Sequence, residues 1–168
     1  SNMAKMMEDF ARELKDDDSV IKDVILIGSD GGCVSAAKAI LAIRSPVFRR
    51  IIYEDFRRSS SDCDSVKMDY PASVLTTVVE YCYTSGTYDK NFSGGCSNEL
   101  TVELVQILDA ANFLELSELR KIILPSVHLT RSRCAIMQEL MNRGEIGGEL
   151  WSACMKRVEE EPRNCFCF

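Results

Sequence analysis

The 168-residue chain predicts an α+β fold, mostly helical with a few short strands and a C-terminal helical hairpin. Three observations carry this. Apolar residues recur at intervals of three and four in successive segments, the spacing of one helix face. β-Branched residues gather in brief runs such as Asp23–Ile27 (DVILI), closed by glycine. Gly144, Gly147 and Gly148 separate two final amphipathic stretches. With 46% apolar and 27% charged residues the composition is that of a globular protein. A chain of this length buries roughly two thirds of its unfolded surface without staples.

The elements follow in order. Met3, Met7, Phe10, Ala11 and Leu14 share a stripe of an amphipathic helix, which the acidic run Asp16–Asp18 ends. Asp23–Ile27 is a buried strand, Gly28–Gly32 a hairpin turn, and a second short strand lies around Cys33–Ser35. Ala36–Arg44 is rich in helix formers. Ser45-Pro46 then supplies an N-cap and a first-turn proline for a second helix through Val47, Phe48, Ile51 and Ile52. The polar stretch Ser59–Asp64 is a surface loop before a brief strand at Ser65–Met68. Tyr70-Pro71 opens a core helix carrying Val74, Leu75, Val78, Val79 and Cys82 on one face, and it ends before Ser85-Gly86.

The Gly- and Ser-rich segment Asp89–Asn98 reads as an exposed loop. Leu100, Leu104, Ile107, Leu108, Ala111 and Leu114 make another helical stripe, and Leu116–Leu124 a short helix stopped by Pro125. Beyond it, Thr130–Asn142 and Glu149–Val158 are the two amphipathic arms of the hairpin.

Charge and composition exclude several functions. A net charge of −6 disfavours direct contact with a phosphate backbone, so no nucleic acid is expected as a partner. Of eight cysteines, Cys33, Cys63, Cys82, Cys96, Cys134 and Cys154 are widely scattered, several inside apolar periodic segments, and read as reduced intracellular thiols rather than a disulfide framework; only Cys165 and Cys167 lie close together. The single histidine, His128, and the lack of a Cys-x-x-Cys pair leave no zinc motif, and no metal or other cofactor is expected. His128 also has no nucleophile or acid at a recognisable spacing, and Gly28-Ser29-Asp30-Gly31-Gly32 is a turn rather than a phosphate cradle, so no catalytic residue is assigned and the chain is not read as an enzyme. No run of about 18 apolar residues and no signal peptide is present; an intracellular protein, cytoplasmic or nuclear, is expected. Ser1 and Asn2 ahead of Met3 read as a remnant of tag cleavage.

The strand opened by Asp23, the turn, the second strand and then Lys38-Ala39-Ile40-Leu41-Ala42-Ile43-Arg44-Ser45-Pro46-Val47-Phe48 together resemble the central signature of the BTB/POZ domain family. The likeness continues through Glu80-Tyr81-Cys82-Tyr83-Thr84-Ser85-Gly86 and through Leu104–Leu119. The amphipathic Met3–Leu14 segment resembles the N-terminal helix ahead of BTB domains of the Kelch-like type. The resemblance implies a helical cluster flanked by a small β-sheet. Residues 3–22 would be a dimerisation helix and linker, 23–124 the BTB core, 125–160 a helical extension similar to a BACK region or three-box, or else a generic hairpin, and 161–168 a tail.

It also implies a protein-binding scaffold that pairs with itself. Met7, Phe10 and Leu14 would lie at the homodimer interface, and the same stripe read from physics alone marks either an interface or a helix folded onto its own domain. Asp23 and Lys38 stand where some BTB transcription factors keep a charged pocket at that interface; a strand-edge Asp bonded to backbone amides is the alternative. In ubiquitin-ligase adaptors of the family, a hydrophobic-x-Glu element engages the cullin-3 scaffold. Phe56-Arg57-Arg58 occupies that place here, keeping the apolar anchor and reversing the charge at Arg58. The expected partner surface comprises Phe48, Tyr53, Phe56, Arg58 and Tyr83, although either tyrosine also suits the core. Arg49, Arg50, Arg57 and Arg58 form either a basic patch for an acidic partner or a solvated helix face. The function implied is a homodimeric adaptor, serving a cullin-dependent ligase or, alternatively, an oligomerisation module of a transcriptional regulator or other assembly without cullin binding. The final Cys165-Phe166-Cys167-Phe168 superficially fits a prenylation signal at Cys165.

Overall fold

A computed structural model describes residues 2–16, 19–55, 64–84, 98–129, 142 and 144. In order, the elements are α1 (Asn2–Lys15), β1 (Val24–Ile27), β2 (Cys33–Ala36), α2 (Lys38–Arg44), α3 (Pro46–Arg50), a π-helical turn (Ile51–Asp55), β3 (Asp64–Lys67), α4 (Ala72–Thr84), α5 (Asn98–Phe113) and α6 (Ser117–Leu129). Helices thus dominate, with one small sheet. Its strand order is β2-β1-β3. β1 and β2 are antiparallel, with Val24 opposite Ala36 and Ile27 opposite Cys33. β3 joins parallel to β1, with Val24 opposite Asp64 and Ile27 opposite Lys67. A parallel neighbour needs a crossover, and α2, α3 and the π-helical turn supply it.

The chain packs as two compact units, one holding α1 to α4, the sheet and Phe113–Leu116, the other holding the rest of α5 and α6. In the first, α4 packs against α1, α2 and β2. It buries eight residues: Val74, Leu75, Thr77, Val78, Val79, Tyr81, Cys82 and Tyr83. Val24, Leu26, Leu41, Val47, Phe48, Ile52 and Val66 are among the other buried residues of this core. In the second unit, Leu104, Val105, Ile107, Leu108, Ala110 and Ala111 of α5 and Leu119 and Ile123 of α6 are buried.

The hairpin turn is built onto the start of α4. Gly28 N–H donates to the Gly32 carbonyl at 2.8 Å, Gly31 takes φ +80°, and Ser29 N–H donates to the Tyr70 carbonyl at 2.9 Å. Asp30 Oδ1 accepts from Gly32 N–H at 3.0 Å, and both its carboxylate oxygens accept from Ala72 N–H at 3.1 and 3.2 Å, so the turn caps the first residue of α4. This approach leaves no room at Gly28: a Cβ there would lie 2.8 Å from the Ala72 nitrogen and 3.0 Å from the Tyr70 carbonyl oxygen.

Two local expectations are corrected. α6 runs through Pro125 to Leu129 instead of stopping before the proline. Proline removes the bond from its nitrogen to the carbonyl four residues back, which belongs to Lys121, an exposed residue. The other concerns Asp23, whose residue N–H pairs with the Ala36 carbonyl at 3.1 Å while the strand proper begins at Val24. The loop expected at Asp89–Asn98 (apart from Asn98, which begins α5), the loop residues Ser59–Cys63 and the hairpin expected over Thr130–Val158 (apart from the exposed Asn142 and Gly144) lie outside the described residues, as does Cys165.

Candidate interaction surfaces

α1 presents its apolar stripe in two ways. Met3 and Met6 near its start are 64% and 44% exposed. Phe10 and Leu14 are half-buried, on a helix that packs against α4 of the same chain; the Met7 side chain lies outside the described residues. The polar side of the helix carries an exposed Asp9–Arg12 ion pair at 3.2 Å. Of the two readings of the stripe, its C-terminal half folds onto its own domain and its N-terminal half remains open.

Asp23 acts as a capping group. Ala37, the N-cap of α2, has no side chain able to bond, and Asp23 Oδ1 accepts the Lys38 N–H at 2.8 Å in its place. A carboxylate at this end also suits the helix dipole. The structure thus places Asp23, exposed, on a backbone amide of Lys38. The preceding amide, Ala37 N–H, donates to the Tyr83 hydroxyl at 2.9 Å.

A second surface follows α3. Ser45 is fully buried; its hydroxyl oxygen accepts from Phe48 N–H at 3.1 Å, and its hydroxyl donates to the Leu114 carbonyl at 2.6 Å. One side chain thereby caps α3 and ties it to the turn at Leu114–Glu115, where Glu115 adopts φ +57°. Pro46 at the first helical position completes the cap. Beyond α3, Ile51, Val66, Lys67, Met68, Asp69, Tyr70 and Phe113 line an open groove of about 370 Å³. The Tyr70 and Phe113 rings form part of its wall, with centroids 6.5 Å apart and planes tilted by 49°. Tyr53, two residues after Ile51, is 46% exposed, and Arg49 and Arg50 are exposed.

Two residues expected on a partner surface are core side chains. Phe48 is 0% and Tyr83 1% exposed. Phe48 is buried on the same short helix that exposes Arg49 and Arg50. Tyr83 is drawn inward because its hydroxyl is the acceptor for Ala37. Tyr53 is displayed as expected in position, while Phe56 and Arg58 lie outside the described residues. Sequence reasoning missed Phe113, 51% exposed, and Ile43, 80% exposed. Phe113 had a readable signal: it is an aromatic off the Leu104–Leu114 stripe at the end of its helix.

Burial disfavours the ionised form of two groups inside this unit, Cys82 and Tyr83. Burial pushes the Cys82 thiol up from 9.0 to about 12, with the Arg44 charge opposing it. Arg44 Nε donates to the Cys82 carbonyl at 3.0 Å. Burial likewise raises Tyr83, opposed by the Ala37 hydrogen bond. A buried thiol of this kind is inert as a nucleophile. Among the described residues, no three His, Cys, Asp or Glu side chains gather into a metal-binding group, and no helix is long and apolar enough to cross a membrane.

The BTB/POZ domain family model matches residues 13–127. Among solved structures, the chain is similar to the BTB domain of zebrafish PATZ1, with a TM-score of 0.52 and 21% identity over 73% of this chain and 87% of that one. No curated protein sequence matches. A match over more than half the chain, on a fold of helices and a small three-stranded sheet, shows that the chain belongs to the BTB/POZ domain family of protein-interaction and oligomerisation modules.

Proposed function

We propose that the chain is a homodimeric adaptor scaffold, pairing with a second copy through α1 and docking protein partners beside α3, with the cullin-3 scaffold of a ubiquitin ligase as the partner to test first. The observation that carries this reading is the open groove of Ile51, Val66, Met68, Tyr70 and Phe113, next in sequence to the exposed Tyr53, in a member of an interaction family. Of the groove residues Phe113 is exposed and Ile51 half-buried, while Val66, Met68 and Tyr70 are buried; an exposed aromatic at an apolar concavity, with the exposed Tyr53 nearby in sequence, is what a partner desolvates on docking. The mechanism is surface complementarity, with no bond made or broken. Met7, Phe10 and Leu14, with Asp23 and Lys38 at the edge, form the proposed self-association face, and the exposed Met3 and Met6 extend it.

One sequence feature favours a second reading. Arg58 stands where cullin-binding relatives carry glutamate, and a reversed charge at a complementary interface costs several kcal/mol. The chain would then serve as an oligomerisation module of a transcriptional regulator or another assembly. Calorimetric titration with the N-terminal domain of cullin-3, run beside Arg58→Glu, separates the two. Sub-micromolar binding by the natural sequence supports the adaptor; silence that Arg58→Glu reverses supports the second reading.

A further inference from the structure

The segment joining α1 to β1 is held by polar contacts that converge on three side chains. Ser19 is only 9% exposed; its hydroxyl donates to the half-buried Glu13 carboxylate of α1, and its oxygen accepts from Ile21 N–H at 3.4 Å. Lys22 Nζ donates to the Leu14 carbonyl at 3.1 Å. That carbonyl is among the last of α1, which have no partner within the helix, and a cation there also meets the negative end of the helix dipole. Backbone bonds from Asp16 to Arg12, Ser19 to Asp16 and Lys22 to Ser19 fold the segment into consecutive turns.

Apolar burial does not hold this segment. Val20 and Ile21 at the tip of its last turn are 97% and 40% exposed. The side chains of α1 anchor it only in part: Phe10, Ala11 and Leu14 are half-buried, and none of those described is fully buried. A helix seated on α4 through half-buried contacts belongs to the low-stability end of a fold, where a few hydrogen bonds at the hinge decide how often it lifts away.

We infer that Glu13, Ser19 and Lys22 form a latch that keeps α1 on α4 of its own chain, and that opening the latch is the step that frees α1 to exchange with a second copy. The exchange half of this inference rests on the self-association proposed above; the latch half does not. Two measurements on the full chain keep them apart. Amide hydrogen exchange follows the lifting of α1, and native mass spectrometry of mixed isotopically heavy and light protein follows the formation of heavy–light pairs. Ser19→Ala removes the bond to Glu13 together with the acceptor for Ile21 N–H, Lys22→Met removes the charged donor at the Leu14 carbonyl, and both are expected to accelerate exchange in α1 roughly tenfold while leaving α4 unchanged. Pair mixing should quicken by a similar factor, and Lys22→Arg, which keeps a donor and the charge, should behave as the natural chain. Unchanged α1 protection in both variants overturns the latch. Faster α1 opening with unaltered mixing overturns its control of exchange. A chain that stays monomeric at all concentrations removes the exchange half together with the self-association reading, and α1 protection then decides the latch alone.

Discussion

α1 and α4 are helices of nearly equal length, 14 and 13 residues, with opposite relations to the fold. Eight of the thirteen α4 residues are buried, on more than one face, because α1, α2 and β2 all pack against it. α1 buries no described side chain completely, and it leaves Met3 and Met6 in solvent. A strong amphipathic stripe therefore does not identify the helix that holds a fold together. The central helix is broadly apolar, and the amphipathic one is available for contact.

The largest effect should come from α4. Leu75 is fully buried, and Leu75→Ala is expected to lower unfolding free energy by about 2–5 kcal/mol in denaturant titration. A loss under about 1 kcal/mol would mean that α4 is not the centre of the core. Next comes Ser45→Ala, which removes the α3 cap and leaves the buried Leu114 carbonyl without its donor, for roughly 2 kcal/mol in the same assay.

A third test sharpens the contrast through pH. Because the folded Cys82 thiol ionises near 12 and its ordinary value is 9.0, the unfolded chain releases this proton first as pH rises. The stability linked to Cys82 is therefore whole below pH 9 and is lost as pH climbs toward 12, by up to about 1.4 kcal/mol per pH unit. Cys82→Ala should flatten that alkaline slope. In a labelling time course on the native protein, the exposed Cys33 should react with iodoacetamide while Cys82 stays protected. The smallest effect on stability is expected from Met3→Ser with Met6→Ser, within about 0.5 kcal/mol. If α1 pairs two copies, the same double variant weakens self-association in sedimentation velocity; unchanged sedimentation together with an unchanged melting curve would take the methionines out of the interface.

Local signals were legible where their physics is local. The Ser45-Pro46 cap, the Gly28–Gly32 turn and the period of α4 each depend on residues within a few positions of one another, and all three stand in the structure. The strands also lie within a residue of where β-branched runs placed them. What sequence spacing could not reveal were pairings across the chain. Asp23 caps a helix that begins 15 residues later, and Asp30 caps one 42 residues later. The orientation of Phe48 and Tyr83 belongs to the same class. The family resemblance suggested a surface, but only the packing of α3 and the approach of the Ala37 amide to Tyr83 decide that both face inward.

By itself, the sequence determined the kind of elements, their order, the capped start of α3 and the family to which the chain belongs, since these follow from spacing, capping chemistry and a matched pattern of residues. The tertiary structure alone decided which apolar side chains remain in solvent, because exposure depends on what each helix meets. It therefore decided that Tyr53 and Phe113 are displayed while Phe48 and Tyr83 are enclosed. It also decided that α1 rests on its own chain, held at its hinge by Glu13, Ser19 and Lys22, whose bonds form only once the backbone has turned between them.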